Sequence, residues 1–148
     1  MIRVLFLCHG NICRSPMAEF VMRELVRQAD LSAQIEVASA AVSREEIGND
    51  IHRGTRRKLQ EMHIPFTPRS AHQVTADELR RYDYVFLMDA SNRAILRRMF
   101  GSDADKARPL LPDRDIADPW YTGNFDETYD DILAGCTALL EELRQKLR

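Results

Sequence analysis

The sequence predicts a three-layer α/β sandwich, a four-stranded parallel sheet with helices on both faces. Two observations carry that expectation. Short apolar runs of strand length alternate with stretches of helical periodicity along the chain, and the pattern closes on a long C-terminal amphipathic segment. Such alternation lays crossover helices over both faces of a parallel sheet. It suits a flavodoxin-like strand order, with ligands bound beyond the carboxyl ends of the strands where the order reverses.

The first strand is expected over residues 2–8, because Val4-Leu5-Phe6-Leu7 is too short for a core helix and has no polar position. A helix over about 16–29 follows, with Ser15 as N-cap and Pro16 at the first helical position. Then come a strand over 35–39, a helix over about 53–62, a strand over 84–88 and a helix over about 91–100. A short strand near 107–111 leads to a last helix over about 126–147. Its apolar stripe runs Tyr129, Ile132, Leu133, Cys136, Leu139, Leu140, Leu143, Leu147, so Cys136 is read as a core residue.

Composition narrows the function. With 148 residues, 45% of them hydrophobic, and no repeat, the chain reads as one domain over 1–148 with a real core. A formal net charge of −2 argues against nucleic acid or an anionic membrane as the main partner. The basic run Arg53, Arg56, Arg57, Lys58 reads as a solvated helix face. Three cysteines point to a reducing compartment, and no leader or spanning segment is legible, so a cytoplasmic location is expected. His9, His52, His63 and His72 are scattered without zinc-site spacing, and no metal or other cofactor is expected.

The chemistry is concentrated in Cys8-His9-Gly10-Asn11-Ile12-Cys13-Arg14-Ser15, set between the first strand and the first helix. In such a turn successive backbone N–H groups converge with the positive end of a helix dipole, which makes a cradle for a phosphoryl group. Gly10 is expected to supply the backbone freedom of the turn. The same field favours the thiolate form of Cys8, a nucleophile. Arg14 offers a planar fork to two phosphate oxygens, and Ser15 a hydroxyl to the sulfur.

These residues, with Pro16, resemble the signature loop of the low-molecular-weight protein tyrosine phosphatases, and the likeness runs almost the whole chain. Asp118-Pro119-Trp120-Tyr121 resembles the family's general-acid loop. Tyr82-Asp83-Tyr84 and Met88-Asp89-Ala90-Ser91-Asn92 resemble its central strand and the turn after it. The resemblance implies strand order 2-1-3-4 and hydrolysis of phosphotyrosine through a cysteinyl phosphate. Expelling a phenolate and then activating water calls for one positioned carboxyl, and Asp118, held extended by Pro119, is the candidate.

Other roles follow from the same likeness. Trp120, which stands where a tyrosine is more usual, Tyr121 and Ile12 are expected as walls for the substrate ring, with His9 also lining the pocket. Ile12 favours an aryl group over phosphoarginine, whose phosphatases tend to carry threonine there. Asn11 should brace the loop in a left-handed conformation, held by Ser39. Besides Trp120, three departures stand out: Ala40 replaces the usual glycine, Arg69 lies near where the animal enzymes carry histidine, and His72 falls where they carry arginine. His72 is read as solvated, without a catalytic role. Cys13 is a candidate resolving thiol for an oxidised Cys8.

A monomer acting on phosphotyrosine proteins or peptides is expected, with phosphate and vanadate as inhibitors. Two alternatives belong to other classes. An arsenate reductase-like thiol enzyme needs a cysteine relay, for which only Cys136 remains outside the loop. A catalytically silent phosphotyrosine-binding or redox-sensing protein need not keep Cys8, Arg14 and Asp118 together.

Overall fold

A computed structural model describes residues 1–148. At its centre is β1 (Ile2–Cys8), whose residues Val4, Leu5, Phe6 and Leu7 are completely buried, as a strand covered on both faces must be. It pairs in parallel with β2 (Ile35–Ala41) on one side and β3 (Tyr84–Leu87) on the other, and β3 pairs with β4 (Ala107–Pro109). The order is β2-β1-β3-β4. Chain direction thus switches sides at β1, and the crevice beyond its carboxyl end is where such sheets bind ligands. Cys8 is the last residue of that strand.

Strand alternation separates two cores. Val4 and Phe6 face α1 (Arg14–Gln28) and α6 (Phe125–Lys146), meeting Met17, Val21, Ile132, Cys136 and Leu139. Leu5 and Leu7 face α4 (Ala90–Phe100) and the short α3 (Ala76–Arg81), meeting Leu79 and Leu96. The α6 stripe is therefore core-facing as expected, and Cys136 is inert packing, its thiol raised well above the ordinary range by burial. Between β2 and α3 lies α2 (Arg53–Glu61), and a single turn, α5 (Pro119–Thr122), precedes α6.

Several boundaries depart from expectation. The first helix begins at Arg14, with Cys13 rather than Ser15 as N-cap and no side-chain cap. Pro16 sits at the third helical position, where an N–H would have no intrahelical partner either, so proline is as compatible there as at the first. Strand β2 extends to Ala41, because Cys8 pairs with Ala41 in register. Ala40, where glycine is usual in the family, is fully buried with Leu5 and Leu7 and has no left-handed backbone to accommodate. Two helices escaped the periodicity: α3, opened by a Thr75–Glu78 capping box, and α5. No helix is long and apolar enough to cross a membrane.

Candidate active site

In the loop from Cys8 to Cys13, five of the six carbonyls, all but that of Gly10, are turned outward and held by a neighbour. The Cys8 carbonyl accepts from Val42 N–H at 2.9 Å, and that of His9 from Ser43 N–H at 3.0 Å and Ser43 Oγ at 2.8 Å. The carbonyl of Ile12 accepts from His52 N–H at 2.8 Å, that of Cys13 from Thr55 Oγ1 at 3.2 Å, and that of Asn11 from the Arg69 guanidinium. Carbonyls fixed outward leave the alternate side of the backbone, the N–H groups, to line a concave anion nest. Helix α1 adds its free N-terminus, since its first internal bond is from Met17 N–H to the Cys13 carbonyl at 3.2 Å.

Cys8 Sγ sits at the base of this nest, buried, and accepts from Asn11 N–H at 3.3 Å. Asn11 takes the left-handed conformation, with φ of 59°. Gly10 is not left-handed, and a Cβ there would lie 3.1 Å from the Glu46 side chain at Cγ. Asparagine makes the turn.

Behind the sulfur a chain of hydrogen bonds has a definite direction. Asn11 Nδ2 donates to Ser15 Oγ at 2.8 Å and to Ser39 Oγ at 2.9 Å, and Ser39 Oγ donates to Glu19 Oε1 at 2.5 Å. A carboxylate can only accept, so the Ser39 proton is committed to Glu19. The Ser15 proton then has the sulfur at 3.1 Å and, more distantly, the Ala40 carbonyl at 3.4 Å. The closer, charge-capable acceptor is favoured. Ser39 thus holds Asn11 as the sequence implied, while Glu19, buried and paired with Arg23 at 2.6 Å, was not anticipated.

Arg14 forms the far wall, only 2% exposed. Its Nη1 donates to Asp89 Oδ2 at 2.7 Å and to the Ile116 carbonyl at 2.8 Å, and its Nη2 to Asp118 Oδ2 at 3.3 Å. Burial alone would lower its pKa, but Cys8, Asp89 and Asp118 outweigh that and raise it. With five N–H donors in the guanidinium, these contacts leave Nε–H and one Nη2–H free for an anion.

Asp118 lies directly before α5 with φ −82° and ψ 114°, extended as a residue preceding proline should be, and its Oδ1 accepts from Trp120 N–H at 3.0 Å. The segment leading to it is tied down at three points. Ile116 N–H donates to the Met88 carbonyl at 2.8 Å, Thr128 Oγ1 to the Ala117 carbonyl at 3.0 Å, and Arg114 grips Asp131 of α6 through two bonds of 2.7 Å.

Cys8, His9, Gly10, Ile12, Cys13 and Arg14 floor one cavity, with Asp118, Trp120, Tyr121, Glu45 and Glu46 around its mouth. Trp120 is half-exposed and Tyr121 largely exposed, while Ile12 is buried beside Cys13, Ala71 and Phe125. His52 supports the Trp120 wall, meeting its ring edge-on at 5.5 Å and stacking on Phe125 at 5.4 Å. The His9 side chain pairs with Glu45 at 2.9 Å, both residues lining the cavity. Burial, with the nearby Cys8 charge, pushes the Cys13 thiol up to about 12.

Comparison with known proteins agrees with this geometry. Residues 3–148 match the family model described as low molecular weight phosphotyrosine protein phosphatase. The chain belongs to this family. It is 40% identical over 153 residues to the low molecular weight protein-tyrosine-phosphatase YfkJ of Bacillus subtilis, covering 99% of this chain and 98% of that protein. The crystal structure of YfkJ superposes with a TM-score of 0.94 at 39% identity, over 100% of this chain and 98% of that one. PtpA of Staphylococcus epidermidis is 34% identical, over 95% of this chain and 93% of that protein. A YwlE arginine phosphatase, solved as a cysteine-to-serine mutant with a phosphorylated active site serine, aligns at 25% identity and a TM-score of 0.85, covering 97% of this chain and 96% of that one.

Within this phosphatase family member, the structure also revises two surface readings. His72 is not simply solvated: its Nε2 pairs with Glu78 at 2.9 Å, which raises the histidine pKa. The basic run is partly tied down, with Lys58 on Asp126 at 2.8 Å and Arg56 on Asp50 at 3.6 Å, leaving Arg53 and Arg57 exposed. Asp89 had a legible signal, an Asp three residues before Asn92 at a helix start, where it caps α4 through Asn92 N–H at 2.8 Å. Glu19 had none, being an ordinary charge in its local sequence, and Arg69 stood out only as a departure from the family pattern, with nothing to show its reach to Asn11.

Proposed function

We propose that this protein hydrolyses phosphotyrosine in proteins or peptides through a phosphoenzyme on Cys8. The observation that carries the reading is the convergence of Cys8 Sγ, the inward loop N–H groups, the Arg14 fork and the Asp118 carboxyl on one aromatic-walled cavity. In the first step the Cys8 thiolate attacks phosphorus in line, the P–O bond to tyrosine breaks, and Asp118 protonates the departing phenolate. In the second, water attacks the phosphocysteine and gives its proton to Asp118. The S–P bond breaks, inorganic phosphate leaves, and Ser15 and Asn11 receive the thiolate.

Arg14 and the backbone N–H groups of His9, Gly10, Asn11, Ile12, Cys13, Arg14 and Ser15 hold the equatorial oxygens in both steps. No metal takes part in this scheme, because the thiolate is itself the nucleophile. Ile12, Trp120 and Tyr121 favour a flat aryl ring over a phosphoguanidinium. Cys13 is the resolving thiol when peroxide oxidises Cys8, closing a disulfide with loss of water. The thiolate chemistry and three free cysteines fit a reducing, cytoplasmic setting for a single-domain, monomeric enzyme.

The test is steady-state turnover of a phosphotyrosine peptide beside phosphoserine and phosphoarginine peptides. Preference for phosphotyrosine, with competitive inhibition by vanadate and no response to chelator, supports the reading. A dominant phosphoarginine activity would move the protein to the arginine phosphatase side of the family.

A further inference from the structure

The segment that carries Asp118 has no regular structure of its own, since residues 110–118 run from the end of β4 to α5 outside any helix or strand. Its place is set by ties to its neighbours. Two of them come from one face of α6, where Thr128 and Asp131 stand at i, i+3 spacing. Thr128 Oγ1 donates to the carbonyl of Ala117, the residue before the acid, at 3.0 Å. Asp131 accepts two bonds of 2.7 Å from Arg114, further back along the segment. On the other side Asp115 Oδ1 accepts from Ala90 N–H, in the first turn of α4, at 3.2 Å.

Asp131 is an unusual residue for a helix face that meets other protein. Its side chain is only 9% exposed, and Arg114 is the cation it meets. Two apolar side chains could close the same contact without desolvating a charge. A guanidinium and a carboxylate joined by two bonds differ in fixing direction and register, because both oxygens and both N–H groups must meet in one plane. Helix α6 in turn packs on α1 through Ile132 and Leu139 against Met17 and Val21, and α1 begins at Arg14. The pair therefore ties the acid-bearing segment to the same helices that carry the phosphate fork.

We propose that Arg114 is a positioning residue for Asp118, fixing through Asp131 where the general acid stands relative to Arg14 and the cradle. The inference rests on the reading of Asp118 as the acid that protonates the departing phenolate. Arg114 does not line the cavity, so its removal leaves the thiolate, the loop and the fork in place. The loss then falls on the proton transfer from the Asp118 carboxyl to the ester oxygen as the P–O bond breaks. Such a loss grows with the basicity of the leaving group. A phenol of ordinary pKa, about 10 as in tyrosine, needs the proton, while p-nitrophenolate is a far weaker base and leaves with little help.

The test measures kcat/KM on phenyl phosphate and on p-nitrophenyl phosphate in wild type, Arg114→Met, Asp131→Asn, Asp118→Ala and the double variant Arg114→Met/Asp118→Ala. Arg114→Met and Asp131→Asn are each expected to lose about tenfold on phenyl phosphate and at most about threefold on p-nitrophenyl phosphate. In the Asp118→Ala background Arg114→Met is expected to cost nothing further on phenyl phosphate, since the group it places is gone. Equal losses on the two substrates, or losses that multiply in the double variant, would overturn the proposal and leave the pair a stability element, whatever the melting temperatures. If Arg114→Met does not fold, Arg114→Lys, which keeps the charge and loses the fork, is decided by the same ratio of substrates. Wild-type kcat/KM on phenyl phosphate in Asp118→Ala would sink the reading of Asp118 as the acid. An impaired Asp118→Ala beside an unchanged Arg114→Met would sink the positioning role alone.

Discussion

Asp89 does two things with two oxygens, and replacing it separates them. Its Oδ1 caps α4 by accepting from Asn92 N–H, while its Oδ2 accepts from the buried Arg14 guanidinium at 2.7 Å. In Asp89→Asn the single amide oxygen can keep the cap, but the amide NH2 then faces Arg14, donor against donor. The lost charge-assisted bond is expected to cost about 2–3 kcal/mol. Asp89→Ala loses the cap as well, a further ~1 kcal/mol. At roughly 2–4 °C per kcal/mol for a chain of this size, the asparagine variant should melt about 4–12 °C below wild type. The alanine variant should melt a few degrees lower again. Both should lower kcat/KM on p-nitrophenyl phosphate by about tenfold or more, since the fork that receives phosphate is no longer fixed. Thermal melts and steady-state kinetics on the three proteins decide it. Equal melting of the two variants, or wild-type kcat/KM in either, would refute the division of labour.

Three further outcomes are expected. The His72–Glu78 pair raises the histidine pKa and lowers that of the carboxyl, chiefly through their mutual hydrogen bond in the case of His72 and against burial in the case of Glu78. Its stabilisation is complete between the ordinary values of 4.5 and 6.5, fades as pH rises through the raised histidine value and fades as it falls through the lowered carboxyl value. The gap in melting temperature between wild type and His72→Gln should therefore be widest inside that window, and a gap independent of pH would count against the pair. Mild peroxide should yield a Cys8–Cys13 disulfide detectable by mass spectrometry. Its formation should quicken with rising pH, because burial keeps Cys13 protonated at neutrality, and absence of the bridge would remove the redox role. Vanadate should compete with substrate, and a pattern insensitive to substrate concentration would place its site elsewhere.

Much of this site is legible in the sequence, because its chemistry is local along the chain. Cys8, Asn11, Arg14 and Ser15 lie within one strand-to-helix turn, and Asp118 announces itself through Pro119. The strands were legible for the same reason, since burial on both faces leaves unbroken apolar runs such as Val4 to Leu7. What escaped depends on distance or on short length. Helix α3 has six residues, too few for periodicity, although its capping box was written in Thr75 and Glu78. The start of α1 lies two residues before the position that Pro16 suggests, because proline is tolerated throughout the first turn of a helix. The reach of Arg69 to Asn11 and of Arg114 to Asp131 spans loops that only tertiary packing closes. Local sequence cannot tell such an arginine from a solvated one.

The most direct test of the central claim is to quench the enzyme during turnover of a phosphotyrosine peptide and map any covalent phosphate by peptide mass spectrometry, with Cys8→Ser and Asp118→Ala alongside. Phosphate on Cys8, turnover abolished by Cys8→Ser and strongly slowed by Asp118→Ala is the predicted result. Undiminished turnover in Cys8→Ser, or steady turnover with no phosphate ever found on Cys8, would contradict it.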